Sequence, residues 1–215
     1  MNIIQSFSEN LEKLLERSKR EANDACLIVA SKYFTAEQIL KLYEMGQRDF
    51  GENRVQDALL KMQSLPSDIT WHLIGHLQKK KVNKVVDQFE YIHSVDSLEL
   101  AQKISERSAQ KQKIFAQVNT SNEPSKEGFS KEDFLQSYSK LESLNNIELV
   151  GLMTMAPLTD DQNVIRSCFR DLKEISKTLN RAHWKLSMGM SSDYPVAIEE
   201  GAHFIRIGRH FLKGL

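Results

Sequence analysis

Lys32 comes directly after the apolar run CLIVA (Cys26 to Ala30) and Ser31. A lysine ending such a run either snorkels to solvent or is partly desolvated, and desolvation moves an amine toward the free base that a Schiff-base nucleophile must be. Far along the chain, SMGMSSD (Ser187 to Asp193) and FIRIGR (Phe204 to Arg209) carry a second chemistry. The first offers Gly189, the hydroxyls of Ser191 and Ser192, and a helix start whose free N–H groups suit an anion. The second offers Gly208, where a backbone can be approached closely, with Arg206 just before it. Alternation along a strand puts Arg206 and Phe204 on one side and Ile205 and Ile207 on the other. An arginine on a buried strand requires a partner, either a carboxylate or a ligand.

Other reactive residues point less clearly. His72 and His76 have the H-x-x-x-H spacing that binds metal on a helix, but WHLIG (Trp71 to Gly75) reads as a strand. On a strand the two would stand about 13 Å apart, so they are expected as core or rim histidines and no metal site is assigned. Lys79, Lys80 and Lys81 form a basic run that reads as a solvated face. Cys26 and Cys168 have no metal-ligand or redox spacing, which suits reduced thiols and a cytoplasmic protein. Met153, Met155, Met188 and Met190 flank two loops and read as core.

These residues must be positioned by alternating elements. Short apolar runs occur at CLIVAS, Arg48 to Gly51, WHLIG, YIHSV (Tyr91 to Val95), Lys113 to Asn119, Glu148 to Met153, Trp184 to Gly189 and His203 to Gly208. Between them lie helical segments. One opens with the capping box Thr35 to Gln38 and stops at Gly46. One is capped at Asp96 or Ser97, one at Ser130, and one runs from about Asp161 to Leu179. A lysine- and valine-rich segment after Gly75 also reads as a helix. Eight strands alternating with helices predict a parallel sheet. The expected fold is α/β, a single (β/α)8 TIM-type barrel over residues 26–210, preceded by an amphipathic helix over residues 1–22, all in one domain 1–215. A doubly wound open sheet shares the same local pattern. Of nine glycines, five (Gly51, Gly75, Gly151, Gly189 and Gly208) fall at strand C-terminal ends, the rim where such folds bind ligands.

Composition narrows the function classes. The 215 residues carry 29 basic and 29 acidic side chains, so no overall field holds nucleic acid or an anionic membrane. No apolar stretch approaches the roughly 20 residues of a membrane span, and the N-terminus has no signal-peptide pattern.

A lysine nucleophile, an anion cradle and an inward arginine on one rim point to pyridoxal 5'-phosphate (PLP) as the ligand. The motifs agree. VASK (Val29 to Lys32), FGEN (Phe50 to Asn53), WHLIGHLQ (Trp71 to Gln78), SVD (Ser94 to Asp96), QVN (Gln117 to Asn119), GLMTM (Gly151 to Met155), SMGMS (Ser187 to Ser191) and RIGR (Arg206 to Arg209) occur in order over almost the whole chain. In this the sequence resembles the pyridoxal phosphate homeostasis proteins, the YggS/PROSC family, whose barrel is alanine racemase-like.

The resemblance implies an intracellular protein of PLP homeostasis that holds PLP as a Schiff base on Lys32. Asn53 and Met190 would line the cofactor. Ser191 with the Gly208 and Arg209 backbone would bind its phosphate, and Arg206 would face the pyridine nitrogen. Because an arginine stays protonated, it would leave that nitrogen unprotonated and the ring a weak electron sink. Implied partners are PLP and PLP-dependent apoenzymes, without nucleic acid or membrane, for a monomer or weak dimer. Lys80 departs from the family's usual asparagine, and Leu212-Lys213 from its usual Phe-Gly. No residue is assigned as catalytic. The alternative is a PLP-dependent amino-acid racemase, which needs a base on each face of the substrate α-carbon. Lys32 supplies one. Alanine racemase takes the other, a tyrosine, from a second domain, whereas this chain is expected to end soon after strand eight. Tyr33, if on a strand, would point away from Lys32.

Overall fold

A computed structural model describes residues 25–121, 123, 127–179 and 183–208. Eight strands run in chain order: β1 (Cys26–Ala30), β2 (Asp49–Glu52), β3 (Thr70–Leu73), β4 (Tyr91–Val95), β5 (Gln112–Gln117), β6 (Ile147–Met153), β7 (Lys185–Met190) and β8 (Phe204–Ile207). Each pairs in parallel with the next, and β8 pairs with β1, so the sheet closes. Six α-helices lie between the strands: α1 (Ala36–Glu44), α2 (Val55–Met62), α3 (Leu98–Arg107), α4 (Lys131–Glu142), α5 (Gln162–Thr178) and α6 (Tyr194–Glu199). The (β/α)8 barrel is the expected fold; the open sheet is excluded by the β8–β1 pairing. The expected helix over 1–22 lies outside the described residues.

Alternation along the strands builds two cores. Outward residues such as Leu27, Val29, Phe50, Leu73, Ile92, Ile205 and Ile207 pack against the apolar stripes of the helices, including Ile39, Leu42, Ile104 and Phe169. Inward residues Ile28, Phe115, Met153 and Phe204 form a smaller separate core inside the barrel. The helix starts follow the expected capping. Thr35 and Gln38 form a complete capping box, while Ser97 and Ser130 each accept from the amide three residues on.

The lysine- and valine-rich segment differs from its expected helix. It is a six-residue 3₁₀ helix, Lys79–Lys84. Val82, Val85, Val86 and Phe89 are buried, a spacing that also suits an α-helix, so the buried pattern alone does not separate the two helix types. Its lysines are surface groups, as expected, with Lys79 paired to Glu99.

Candidate functional site

The C-terminal ends of β7, β8 and β1 form one seam of the rim. Gly189, at the end of β7, has φ +94°, a left-handed conformation that favours glycine. It turns the chain into Met190 and Ser191. The Gly208 amide, just past β8, donates to Ser191 Oγ at 3.3 Å, joining the two loops expected to bind phosphate. Gly208 also presses on β1, where a Cβ would come 2.9 Å from the Ala30 carbonyl oxygen. Lys32 lies two residues beyond Ala30. Barrel closure therefore brings Lys32, Ser191 and Gly208, separated by most of the chain, onto one side of the rim. The helix start that follows contributes less than expected, because α6 has only six residues. The Met190 amide is already taken, donating to Asp193 Oδ1 at 2.5 Å. Burial raises the Asp193 carboxyl above its ordinary range, against the lowering effect of that amide.

Lys32 differs from its expected setting. The strand stops at Ala30, and Lys32 and Tyr33 form an exposed turn, so of the two readings of this lysine the exposed one holds. The turn also places Tyr33 beside Lys32 rather than opposite it. The Lys32 Nζ lies 4.6 Å from the Tyr33 ring centroid, which corrects the strand-based expectation. Beneath the turn, Ser31 is buried and held on every side. Its amide donates to the Gly51 carbonyl at 2.9 Å, its hydroxyl donates to Glu52 Oε1 at 2.8 Å, and its carbonyl accepts from Lys61 Nζ at 2.8 Å. Lys61 and the fully buried Glu52 form an ion pair at 2.6 Å. Neither residue was picked out from sequence. The glutamate of FGEN was the available signal, since an acid buried on a strand must find a cation.

Arg206 points into the barrel and is 4% exposed. Among the described residues its hydrogen-bond partners are a hydroxyl and a backbone carbonyl rather than a carboxylate. Nη1 donates to Ser187 Oγ at 2.5 Å and Nη2 to the Thr154 carbonyl at 2.9 Å. Burial brings the guanidinium down to about 10, still protonated at neutral pH. Asn53 is an exposed residue just past β2 whose backbone fills the space beside Gly75. Arg209, Leu212 and Lys213 lie outside the described residues. His72 is buried in the barrel, whereas His76 is at the rim beside Glu127 (2.9 Å) and Asp96 (3.5 Å), so the pair does not converge.

Residues 4–211 match the family described as alanine racemase, N-terminal domain. The chain is 38% identical over 219 residues to the pyridoxal phosphate homeostasis protein of Aquifex aeolicus (strain VF5), covering 97% of this chain and 96% of that protein. The protein of the same name from Schizosaccharomyces pombe is 31% identical over 97% of this chain. The chain belongs to the pyridoxal phosphate homeostasis protein family. A solved relative in this family is PipY of Synechococcus elongatus PCC7942, 35% identical over 95% of this chain and 99% of PipY. Its structure without PLP superposes with a TM-score of 0.88, and its structure with PLP bound with 0.86. Alanine racemase of Clostridium difficile 630 matches at a TM-score of 0.77 but with 19% identity, and this chain covers 56% of it, which shows a shared fold alone.

The rim fits a phosphorylated aldehyde such as PLP. Gly208 lets the β8 loop pack directly on Ala30 of β1, the Ser191 hydroxyl stands beside the Gly208 amide, and Lys32 offers an exposed primary amine on the loop that follows β1.

Proposed function

We propose that this chain is a PLP carrier of PLP homeostasis, holding the cofactor reversibly at the β7–β8–β1 rim. The observation that supports this most is the Ser191–Gly208 cradle pressed against the strand that leads into Lys32. PLP would supply an aldehyde, and the Lys32 amine is the group that would hold it covalently, with release of water. Ser191 and the Gly208 backbone would bind the phosphate, a role proposed also for the Arg209 backbone, while Asn53 and Met190 would line the ring. The Arg206 guanidinium, protonated and pinned by Ser187 and Thr154, presents donors only. Facing the pyridine nitrogen, such a donor would leave that nitrogen unprotonated and the ring a poor electron sink. Such a site stores an aldehyde rather than catalysing turnover of its own, and the racemase alternative gains no support. We treat residues 1–215 as a single PLP-binding domain that acts in the cytoplasm, as a monomer or weak dimer, and passes PLP to PLP-dependent apoenzymes. Among the described residues no helix is long and apolar enough to cross a membrane.

The test is the visible spectrum of the PLP-loaded protein before and after borohydride. The native protein is expected to show a long-wavelength band that borohydride removes while PLP stays covalently attached, whereas Lys32→Ala is expected to show no such band and to retain no covalent PLP. Fixation that survives in Lys32→Ala would overturn the assignment.

A further inference from the structure

Beneath the rim, the barrel interior holds a continuous row of polar side chains that the phosphate cradle does not use. Asp49 Oδ1, at the start of β2, lies 3.0 Å from His72 Nε2 on β3. His72 Nδ1 lies 2.9 Å from His93 Nε2 on β4, and His93 Nδ1 lies 2.8 Å from Ser187 Oγ on β7. Ser187 then meets Arg206 on β8. His72, His93 and Ser187 are fully buried, and Asp49 is the one partly exposed member.

The direction of this chain is set from both ends. An ionised carboxylate only accepts, so His72 Nε2 carries the proton that it donates to Asp49. Burial lowers both imidazoles below their ordinary range, so each is neutral and has one N–H. His72 Nδ1 must then accept from His93 Nε2, and His93 Nδ1 must accept from the Ser187 hydroxyl. That leaves the Ser187 oxygen to accept from Arg206, which only donates. Starting from Arg206 gives the same sequence of donors. Four hydrogen bonds aligned in one sense polarise one another in a buried, low-dielectric interior. The charged groups acting on the two histidines are Asp49 and Glu90 at the far end and Arg206 at the near end, while Asp193 acts on Arg206 from α6's side.

We propose that Asp49 is a positioning residue for Arg206, acting across the barrel through His72, His93 and Ser187 to hold the guanidinium in one orientation. This rests on the reading that Arg206 faces the PLP ring, and it names the chain's own device for keeping that group unchanging. The negative end lies at the N-terminal mouth of the barrel, while at the other end two Arg206 donors go to Ser187 and the Thr154 carbonyl rather than to a carboxylate.

Nitrogen-15 NMR of the PLP-free protein tests the chain without reference to the cofactor. His72 and His93 are expected as neutral Nε2–H tautomers, and Asp49→Asn, which keeps an acceptor but loses the charge, is expected to shift the His93 and Arg206 side-chain nitrogens. Glu148→Gln, an exposed change on β6, is expected to leave them in place. A Nδ1–H tautomer at either histidine, or unmoved Arg206 nitrogens in Asp49→Asn, would overturn the proposal. In the PLP-loaded protein, Asp49→Asn is expected to move the long-wavelength band in the same direction as Ser187→Ala. A chain that only supports the fold would lower stability in Asp49→Asn and move neither signal. If the native protein forms no PLP band, the cofactor reading fails by itself, and the NMR result still decides the Asp49–Arg206 coupling.

Discussion

Gly208 lies so close to Ala30 that a Cβ on it would stand 2.9 Å from the Ala30 carbonyl oxygen and 3.1 Å from the Ala30 Cβ. The contact crosses the β8–β1 seam, and the same Gly208 amide reaches Ser191 on β7. Gly208→Ala must therefore push the β8 loop off β1 and separate the two halves of the cradle. PLP affinity is expected to fall about tenfold, near 1.4 kcal/mol, while affinity for pyridoxal, which lacks the phosphate, changes little. Spectral titration with both aldehydes checks this, and equal losses for the two would exclude a phosphate role for the loop.

Glu52 and Lys61 predict a stability effect close to the reactive lysine. Lys61→Met removes the cation from a fully buried carboxylate whose Oε2 has no hydrogen-bond partner, and it also frees the Ser31 carbonyl. Breaking a buried pair from one side costs about 3–5 kcal/mol, and urea unfolding is expected to show a loss in that range. The double variant Glu52→Gln/Lys61→Met, with no buried charge left, is expected to recover much of it.

The interior histidines predict acid sensitivity. Burial lowers His72 and His93 in the folded protein, whereas in the unfolded chain each titrates near 6.5. Below that pH the unfolded state binds protons that the folded state does not. Stability contributed by neutral burial is thus complete above about pH 7 and is lost as pH falls through the unfolded value toward the folded ones. His203, an exposed residue whose imidazole partial desolvation also lowers, acts in the same sense. The slope is expected to approach about 1.4 kcal/mol per pH unit for each histidine. Urea unfolding between pH 7 and pH 5 measures it, and His93→Phe is expected to remove one histidine's share of the slope even if it lowers stability throughout.

The helix caps give a local prediction. Ser130 Oγ accepts from the Asp133 amide at 3.0 Å, at an exposed helix start. Ser130→Ala is expected to cost about 1 kcal/mol, seen as a lower urea midpoint with an unchanged slope. PLP binding is expected to be unaffected.

The sequence by itself determined the elements and the reactive chemistry. Capping boxes such as Thr35–Gln38 and short apolar runs are local signals, because a cap acts within one turn and strand alternation within a few residues. The inward side of Arg206 followed from the same alternation, and Lys32, Ser191 and Gly208 stood out as residue types. Where a local signal depends on where a strand stops, it failed: Lys32 and Tyr33 lie past the end of β1, so they share a side. The lysine-rich segment failed for a related reason, since two buried valines three apart suit a 3₁₀ turn as well as a helix.

Only the tertiary structure decided which residues meet. An open sheet of the same strands would leave β1 and β8 apart; closure pairs Ile28 with Arg206 and sets Ala30 against Gly208. Closure also creates an enclosed interior, and the shared register of five strands lines up Asp49, His72, His93, Ser187 and Arg206 within it. No local pattern encodes that row. Its five members come from five separate strands, and a partner becomes obligatory only once burial removes water from all of them together.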